Sequence, residues 1–380
     1  MKVVIAIDSF KGSLSSLEAG EAIKYGVLKV MPDAKVVVRP LADGGEGTIE
    51  ALTFGMGGQV ESVEVTGPLG EKVKCRYGIL EESKTAIMEM AQAAGITLVP
   101  EAKRNPLNTT TYGVGEVIKD AIAKGCRNFI VGIGGSATND GGIGMLQALG
   151  YGMLDKDGKQ VPFGAKGLKE IVKITEEQVI PELKECSFRI ACDVTNPLCG
   201  EFGCSAVFGP QKGADDLMIV QMDKWLAEYA NLTSEKYEKA NANYPGTGAA
   251  GGMGFAFLAY TNAVMESGIK IVLEETKLEN YVKDADIVIT GEGKLDSQTV
   301  FGKAPIGVAH IAKKYNKTVI AFAGAVTEDA IACNEHGIDA FFSILRNIQT
   351  IQEAMDVSNA RANMVNTVEQ VFRLLKIKGV

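Results

Sequence analysis

Three glycine-rich stretches carry carboxylates directly behind strand-like runs, and these are the places where the chain can do chemistry. Asp8-Ser9-Phe10-Lys11-Gly12 follows the apolar run Lys2–Ile7. Asp43-Gly44-Gly45-Glu46-Gly47-Thr48 follows Lys35–Pro40, and Gly291-Glu292-Gly293-Lys294-Leu295-Asp296 follows Asp286–Thr290. Carboxylates can hold a divalent cation or accept a proton, lysines offset phosphoryl charge, and glycines let backbone amides approach a phosphate closely. In the third stretch Asp296 can accept the proton of an attacking hydroxyl while Glu292 binds metal, or the two exchange roles. If the three runs are parallel neighbours, their carboxyl ends share one sheet edge, where open α/β folds bind ligands. Metal-assisted phosphoryl transfer is the chemistry that uses all of this equipment.

Further constellations lie between these stretches. Phe129–Val131 reads as a short strand, and Gly132-Ile133-Gly134-Gly135-Ser136-Ala137-Thr138-Asn139-Asp140-Gly141-Gly142 follows it. Gly132, Gly134 and Ala137 formally satisfy the dinucleotide fingerprint, which also needs an acidic residue about 20 positions on to hold a ribose. The nearest candidates, Asp155 and Asp157, fall in a hairpin turn. The stretch therefore reads as a phosphate cradle or metal loop, with Gly134, Gly135, Ser136, Thr138 and Asn139 facing the phosphates and Asp140 a candidate metal ligand. Asp193 ends the strand-like Phe188–Cys192 and can hold Mg²⁺ or make an Asx turn. Lys212, among the turn residues Gly209–Ala214, is placed to reach a phosphate. Thr109–Thr111 sit just before a helix at Val114–Lys124, with Arg104 upstream, an arrangement that suits an anion and equally suits capping. Gly246–Gly254, including Gly251 and Gly252, must let backbone approach something closely. A Walker A sequence is absent, because Gly302-Lys303 precedes Ala304 and no glycine stands five residues earlier. The two histidines, His310 and His336, read as ordinary helix residues, so proton transfer falls to carboxylates or lysines.

The elements that must position these residues follow from periodicity and composition. At 380 residues the chain exceeds what one core usually holds, so two domains are expected. Both ends alternate short β-rich runs with helical patterns, which predicts one parallel sheet with helices on both faces. The middle differs. Val60–Val65 and Lys72–Leu80 alternate around Gly67-Pro68-Leu69-Gly70, a hairpin signature, and Tyr151–Leu154 with Lys159–Val161 predicts a second. The fold class expected is α/β, a Rossmann-like parallel domain with a large inserted mixed domain and the active site in the cleft between them. The boundaries expected are 1–64 plus 284–380 for the parallel domain and 65–283 for the insert. A net charge of −8 argues against nucleic acid or an anionic membrane as partner. Seven cysteines without paired metal spacing read as reduced thiols, and the N-terminus opens directly on a strand pattern. A soluble cytoplasmic protein, monomer or homodimer, is expected.

The stretches Asp8–Ser13, Pro40–Thr48, Gly132–Gly142, Cys192–Gly200, Val207–Ala214, Gly248–Gly254, Thr290–Thr299, Gly302–Pro305 and Ala340–Leu345, in that order, resemble the type I bacterial glycerate kinases from end to end. The resemblance implies transfer of the ATP γ-phosphoryl group to D-glycerate with Mg²⁺, chiefly to the 2-hydroxyl. Under that reading the catalytic candidates are Asp8, Lys11, Asp43, Asp296 and Lys303. Asp296 or Asp43 orients the glycerate hydroxyl, and Lys11, Lys212 or Lys303 offsets charge on the phosphoryl group. ATP phosphates lie along Gly134–Gly142 and Gly248–Gly254, and Mg²⁺ meets Asp193, Glu292 and Asp140. Arg104 or Lys11 pairs with the glycerate carboxylate, with Ser9, Glu46 and Thr110 also on the substrate. The rival readings are a nicotinamide-dependent hydroxy-acid dehydrogenase, from Gly132–Ala137, and a metabolite-binding protein without catalysis.

Overall fold

A strand with no polar alternation must be buried on both faces, and Val3–Ile7 is fully buried. The computed structural model describes residues 1–42, 44–45 and 47–377; Asp43 and Glu46, two of the candidate site residues, lie outside the described residues. In chain order the strands are β1 (Lys2–Ile5), β2 (Lys35–Val38), β3 (Gln59–Thr66), β4 (Lys72–Leu80) and β5 (Thr85–Glu89). There follow β6 (Asn128–Gly132), β7 (Gly152–Leu154), β8 (Lys173–Thr175) and β9 (Ser187–Ala191). The last four are β10 (Ala263–Glu266), β11 (Ile287–Leu295), β12 (Thr318–Val326) and β13 (Ala340–Ser343). Met1–Asp43, Glu50–Met56 and Ile269–Val380 group as one compact unit, and Gly44–Ile49 with Gly57–Gly268 as another.

The first unit carries a parallel five-stranded sheet in the order β13-β12-β11-β1-β2. From β1 the chain moves outward to β2 on one side, while β11, β12 and β13 follow one another on the other side. The winding therefore reverses between β1 and β11, which is the topological switch point of the sheet. The helix Ser16–Val30 enters through a capping box in which Glu18 N–H donates to Ser15 Oγ and Ser15 N–H donates to Glu18 Oε2. It packs on one face with the helix Val357–Ile377, through Ala19, Ile23, Val27, Met364, Val368 and Phe372 over Val3, Ile5 and Ile289. Gly26 lets the two helices cross closely, since a Cβ there would meet Val365 O at 2.8 Å.

One element differs from its expectation. The glycine-rich Gly291–Leu295, expected as a loop, continues β11, with Glu292 opposite Ala323 and Lys294 opposite Ala325 of β12. Local chemistry that suggests a turn gives way because a long partner strand of small residues is available to pair with it. A Cβ at Gly291 would lie 1.9 Å from Phe322 O, so the ladder itself demands glycine there.

In the second unit a six-stranded sheet runs β10-β9-β6-β5-β4-β3. Neighbours from β10 to β5 are parallel, and β5-β4 and β4-β3 are antiparallel. The β3-β4 hairpin pairs throughout, Gln59 with Ile79 to Thr66 with Lys72. All of β3 belongs to this sheet, and the second unit holds the short segment Gly44–Ile49 and then Gly57–Gly268, where a single insert with borders near 65 and 283 was expected. The turn at Asp155–Lys159 forms, with Asp155 N–H donating to Lys159 O at 2.8 Å. The ladder partner of β7 is β8, and Lys159–Val161 lies against β7 through the bridge of Gln160 to Leu154 and Val161 N–H donating to Met153 O at 2.9 Å. Stacked Phe129 and Phe188, with Phe257 against the latter, fill the core beneath this sheet. Among the described residues no helix is long and apolar enough to cross a membrane.

Candidate active site

At the switch point of the first unit the backbone of Asp8 continues the parallel ladder past β1, its N–H donating to Gly291 O at 3.0 Å. Extending the register of Ile5 with Ile289 places Asp8 opposite Glu292. Asp8 is buried and Ser9, half-buried, donates its N–H to Asp8 Oδ1 at 2.6 Å. The loop then runs along the extended ribbon, so that a Cβ on Gly293 would stand 3.7 Å from Lys11 N. Glu292 Oε1 accepts from Thr299 Oγ1 at 2.7 Å. Lys303, the residue preceding the helix Ala304–Lys314, holds its Nζ 3.8 Å from both Glu292 Oε2 and Asp296 Oδ1. Asp296 caps the turn Ser297–Phe301, accepting from Gln298 N–H at 3.0 Å, and its other oxygen meets Lys294 Nζ at 2.9 Å. The hydrogen bond from Lys294, reinforced by the charge of Lys303, holds the Asp296 carboxyl below the usual range. Asp329 accepts from Ser297 N–H at 3.2 Å and from Thr327, and these bonds push its carboxyl down to about 2. Four of the sequence candidates, Asp8, Glu292, Asp296 and Lys303, thus meet on one unit, with Ser9 and the exposed Lys11 beside them.

The second unit gathers a different set. Lys212 is buried, and its Nζ donates to Ser136 Oγ at 2.9 Å and to Thr138 O at 2.6 Å. Burial pulls its ammonium down to about 8, against the opposing pull of Cys204 and Asp140. Gly134 and Gly135 remain exposed immediately before Ser136. Arg104 lies alongside, because a Cβ at Gly213 would meet Arg104 O at 2.2 Å and Arg104 Cβ at 3.0 Å. The Arg104 Nε is buried and has no hydrogen-bond partner among the described residues. A lysine ammonium held on Ser136 beside the exposed Gly134 and Gly135 is chemistry that suits an anion. The loop is not a dinucleotide turn. Gly135 O accepts from Ile96 N–H, Ala137 N–H donates to Ala94 O, and a helix starts only at Ile143.

The sequence model of the glycerate kinase family matches residues 3–376. The chain belongs to the glycerate kinase family. It is 50% identical to "Glycerate kinase" of Haemophilus influenzae, over the full length of both chains. It is 50% identical to "Glycerate 2-kinase" of Escherichia coli K12, over 93% of each. The crystal structure of a Salmonella typhimurium LT2 protein named for glycerate kinase 2 superposes with a TM-score of 0.92 at 47% identity. That likeness covers 100% of this chain and 99% of the other.

Within this glycerate kinase family chain several expected ligands serve the fold instead. Asp140 is wholly buried and accepts from Thr111 N–H, Thr111 Oγ1 and Gly142 N–H, which ties together the starts of the helices Tyr112–Ala123 and Ile143–Ala148. Burial raises its carboxyl, and a carboxylate so enclosed has no face for a metal. Thr110 is buried with its hydroxyl accepting from Tyr112 N–H, so it does not reach a substrate. Thr138 and Asn139 turn their side chains inward, Asn139 Nδ2 donating to Ser205 Oγ. Gly251 and Gly252 do permit a close approach, but what they approach is this same loop: a Cβ at Gly251 would lie 2.1 Å from Thr138 O. Asp193 is exposed at the end of β9 and accepts from Gly268 N–H at 3.1 Å. Two relevant residues escaped the sequence reading. Glu89 ends β5 buried, accepting from Ile49 N–H at 3.0 Å, and an acid closing an otherwise apolar strand was its only signal. Thr299 was signalled by its place three residues after Asp296, as in a capping box.

Proposed function

We propose that this chain transfers the γ-phosphoryl group of ATP to the 2-hydroxyl of D-glycerate with the help of Mg²⁺. The observation that carries the reading is the meeting of Asp8, Glu292, Asp296 and Lys303 at the switch point of a parallel sheet. The name of the Escherichia coli relative, "Glycerate 2-kinase", supports the choice of hydroxyl. Asp8 and Glu292 fit a Mg²⁺ ion, which takes one or two carboxylates and fills its remaining positions with phosphate oxygens and water. When bound it supplies neutralising charge to the phosphate oxygens.

Phosphoryl transfer asks mainly for positioning and electrostatics. Lys303 offsets the charge of the transferring group. Asp296 orients the attacking hydroxyl and takes its proton late, as suits a carboxylate held below the usual range. Ser136, Lys212 and the amides at Gly134 and Gly135 hold the anionic part of the nucleotide, and Arg104 or Lys11 pairs with the glycerate carboxylate. Phosphorus NMR of the product formed from ATP, Mg²⁺ and D-glycerate tests activity and regiochemistry together: a 2-phosphoglycerate resonance is expected, and 3-phosphoglycerate or no product refutes the reading. Asp296→Asn is expected to lower turnover by roughly two orders of magnitude with ATP affinity near normal. Unchanged turnover removes Asp296 from that role.

A further inference from the structure

Thr299 places one hydroxyl between two of the acids at the switch point. Its side chain is wholly buried, and its Oγ1 accepts from Asp296 N–H at 3.3 Å while donating to Glu292 Oε1 at 2.7 Å. A hydroxyl has a single proton and two lone pairs. With the Asp296 N–H occupying the acceptor side, that proton is directed at Glu292. Glu292 Oε2 lies 3.8 Å from Lys303 Nζ.

Resting on the kinase reading, we propose that Thr299 is a positioning residue for the reaction. It fixes the rotamer of Glu292 by holding Oε1, and so sets how that carboxylate meets the metal-bound nucleotide. The same hydroxyl holds the backbone of Asp296 at the entry to Ser297–Phe301, so both acids are set from one atom. Partners of this kind orient the groups that touch a metal, and losing one typically costs about 10–100-fold in metal affinity or activity.

The test compares Thr299→Val, which keeps the shape and removes the hydroxyl, with Thr299→Ser, which keeps the hydroxyl. Two readouts are taken on the full chain: steady-state kinetics with ATP, Mg²⁺ and D-glycerate, and binding of Mn²⁺ with ADP followed by electron paramagnetic resonance. Thr299→Val is expected to lower kcat and weaken Mn²⁺ binding by about 10-fold or more, with Thr299→Ser within about threefold of the parent in both. In a Glu292→Gln background Thr299→Val should add nothing to the loss in Mn²⁺ affinity. Parent-like behaviour of Thr299→Val, or a Ser variant as impaired as the Val variant, overturns the proposal. If the parent chain turns over no glycerate, the function reading fails, while the Mn²⁺ comparison still decides what Thr299 does.

Discussion

Lys212 illustrates how a single buried group can oppose stability and, on the function proposed, serve binding. Burial penalises its charge and pulls the folded-state ammonium down to about 8, below the usual 10.5 of a lysine. Between those two values the unfolded chain binds more protons than the folded one, so stability rises with pH across that window. The nucleotide binding proposed for it runs the other way, since it uses the ammonium. Affinity for ATP, measured by calorimetric titration, is therefore expected to fall as pH rises through 8, and Lys212→Met should weaken binding and flatten that dependence. A pH dependence that survives in the Met variant would assign the titration to another group. The neighbouring residues show where sequence reading reached its limit. That Asp140, Thr138 and Asn139 sit in a glycine-rich loop after a strand was legible. That their side chains face inward was not, because it depends on Thr111 and Ser205, distant in sequence, arriving to receive them.

At the scale of elements, alternation and turn chemistry carried the β3-β4 hairpin, and apolar runs carried β1 and β12. The extension of β11 through Gly291–Leu295 could not be read locally, because the decision is made by β12, whose Ala323, Gly324 and Ala325 leave room for it. The glycines of Gly246–Gly254 were legible as a close approach but not its partner. That approach gives a direct prediction. Gly251 has φ of +68° and a Cβ there would strike Thr138 O, whereas Gly158, at φ of +73°, has open space around it. Gly158→Ala should cost about 1 kcal/mol for its backbone alone, and Gly251→Ala about 2 kcal/mol or more on top of that. Urea denaturation of the two variants checks this, and equal losses would mean that the loop yields freely.

At the scale of the whole molecule, the described residues include one hydrophobic core around Phe322 and Phe372 and another around Phe129, Phe188 and Phe257. Chains built this way commonly depart from two-state unfolding. Scanning calorimetry is expected to give a calorimetric enthalpy larger than the van't Hoff enthalpy. Phe372→Ala, at a loss of about 3–5 kcal/mol, should move only part of the heat absorption to lower temperature. Equal enthalpies and a single shifted peak would instead mean one cooperative block. The sheet of the first unit also has a consequence for biosynthesis. Lys2 N–H bonds to Asp286, 284 positions later, and β1 runs beside β11. On a ribosome adding about 5–20 residues per second, the first strand made waits roughly 15–60 s for that neighbour. Throughout that interval Val3, Val4 and Ile5 offer an open edge to any passing nascent chain, which makes the amino-terminal segment the natural client of a holdase during translation.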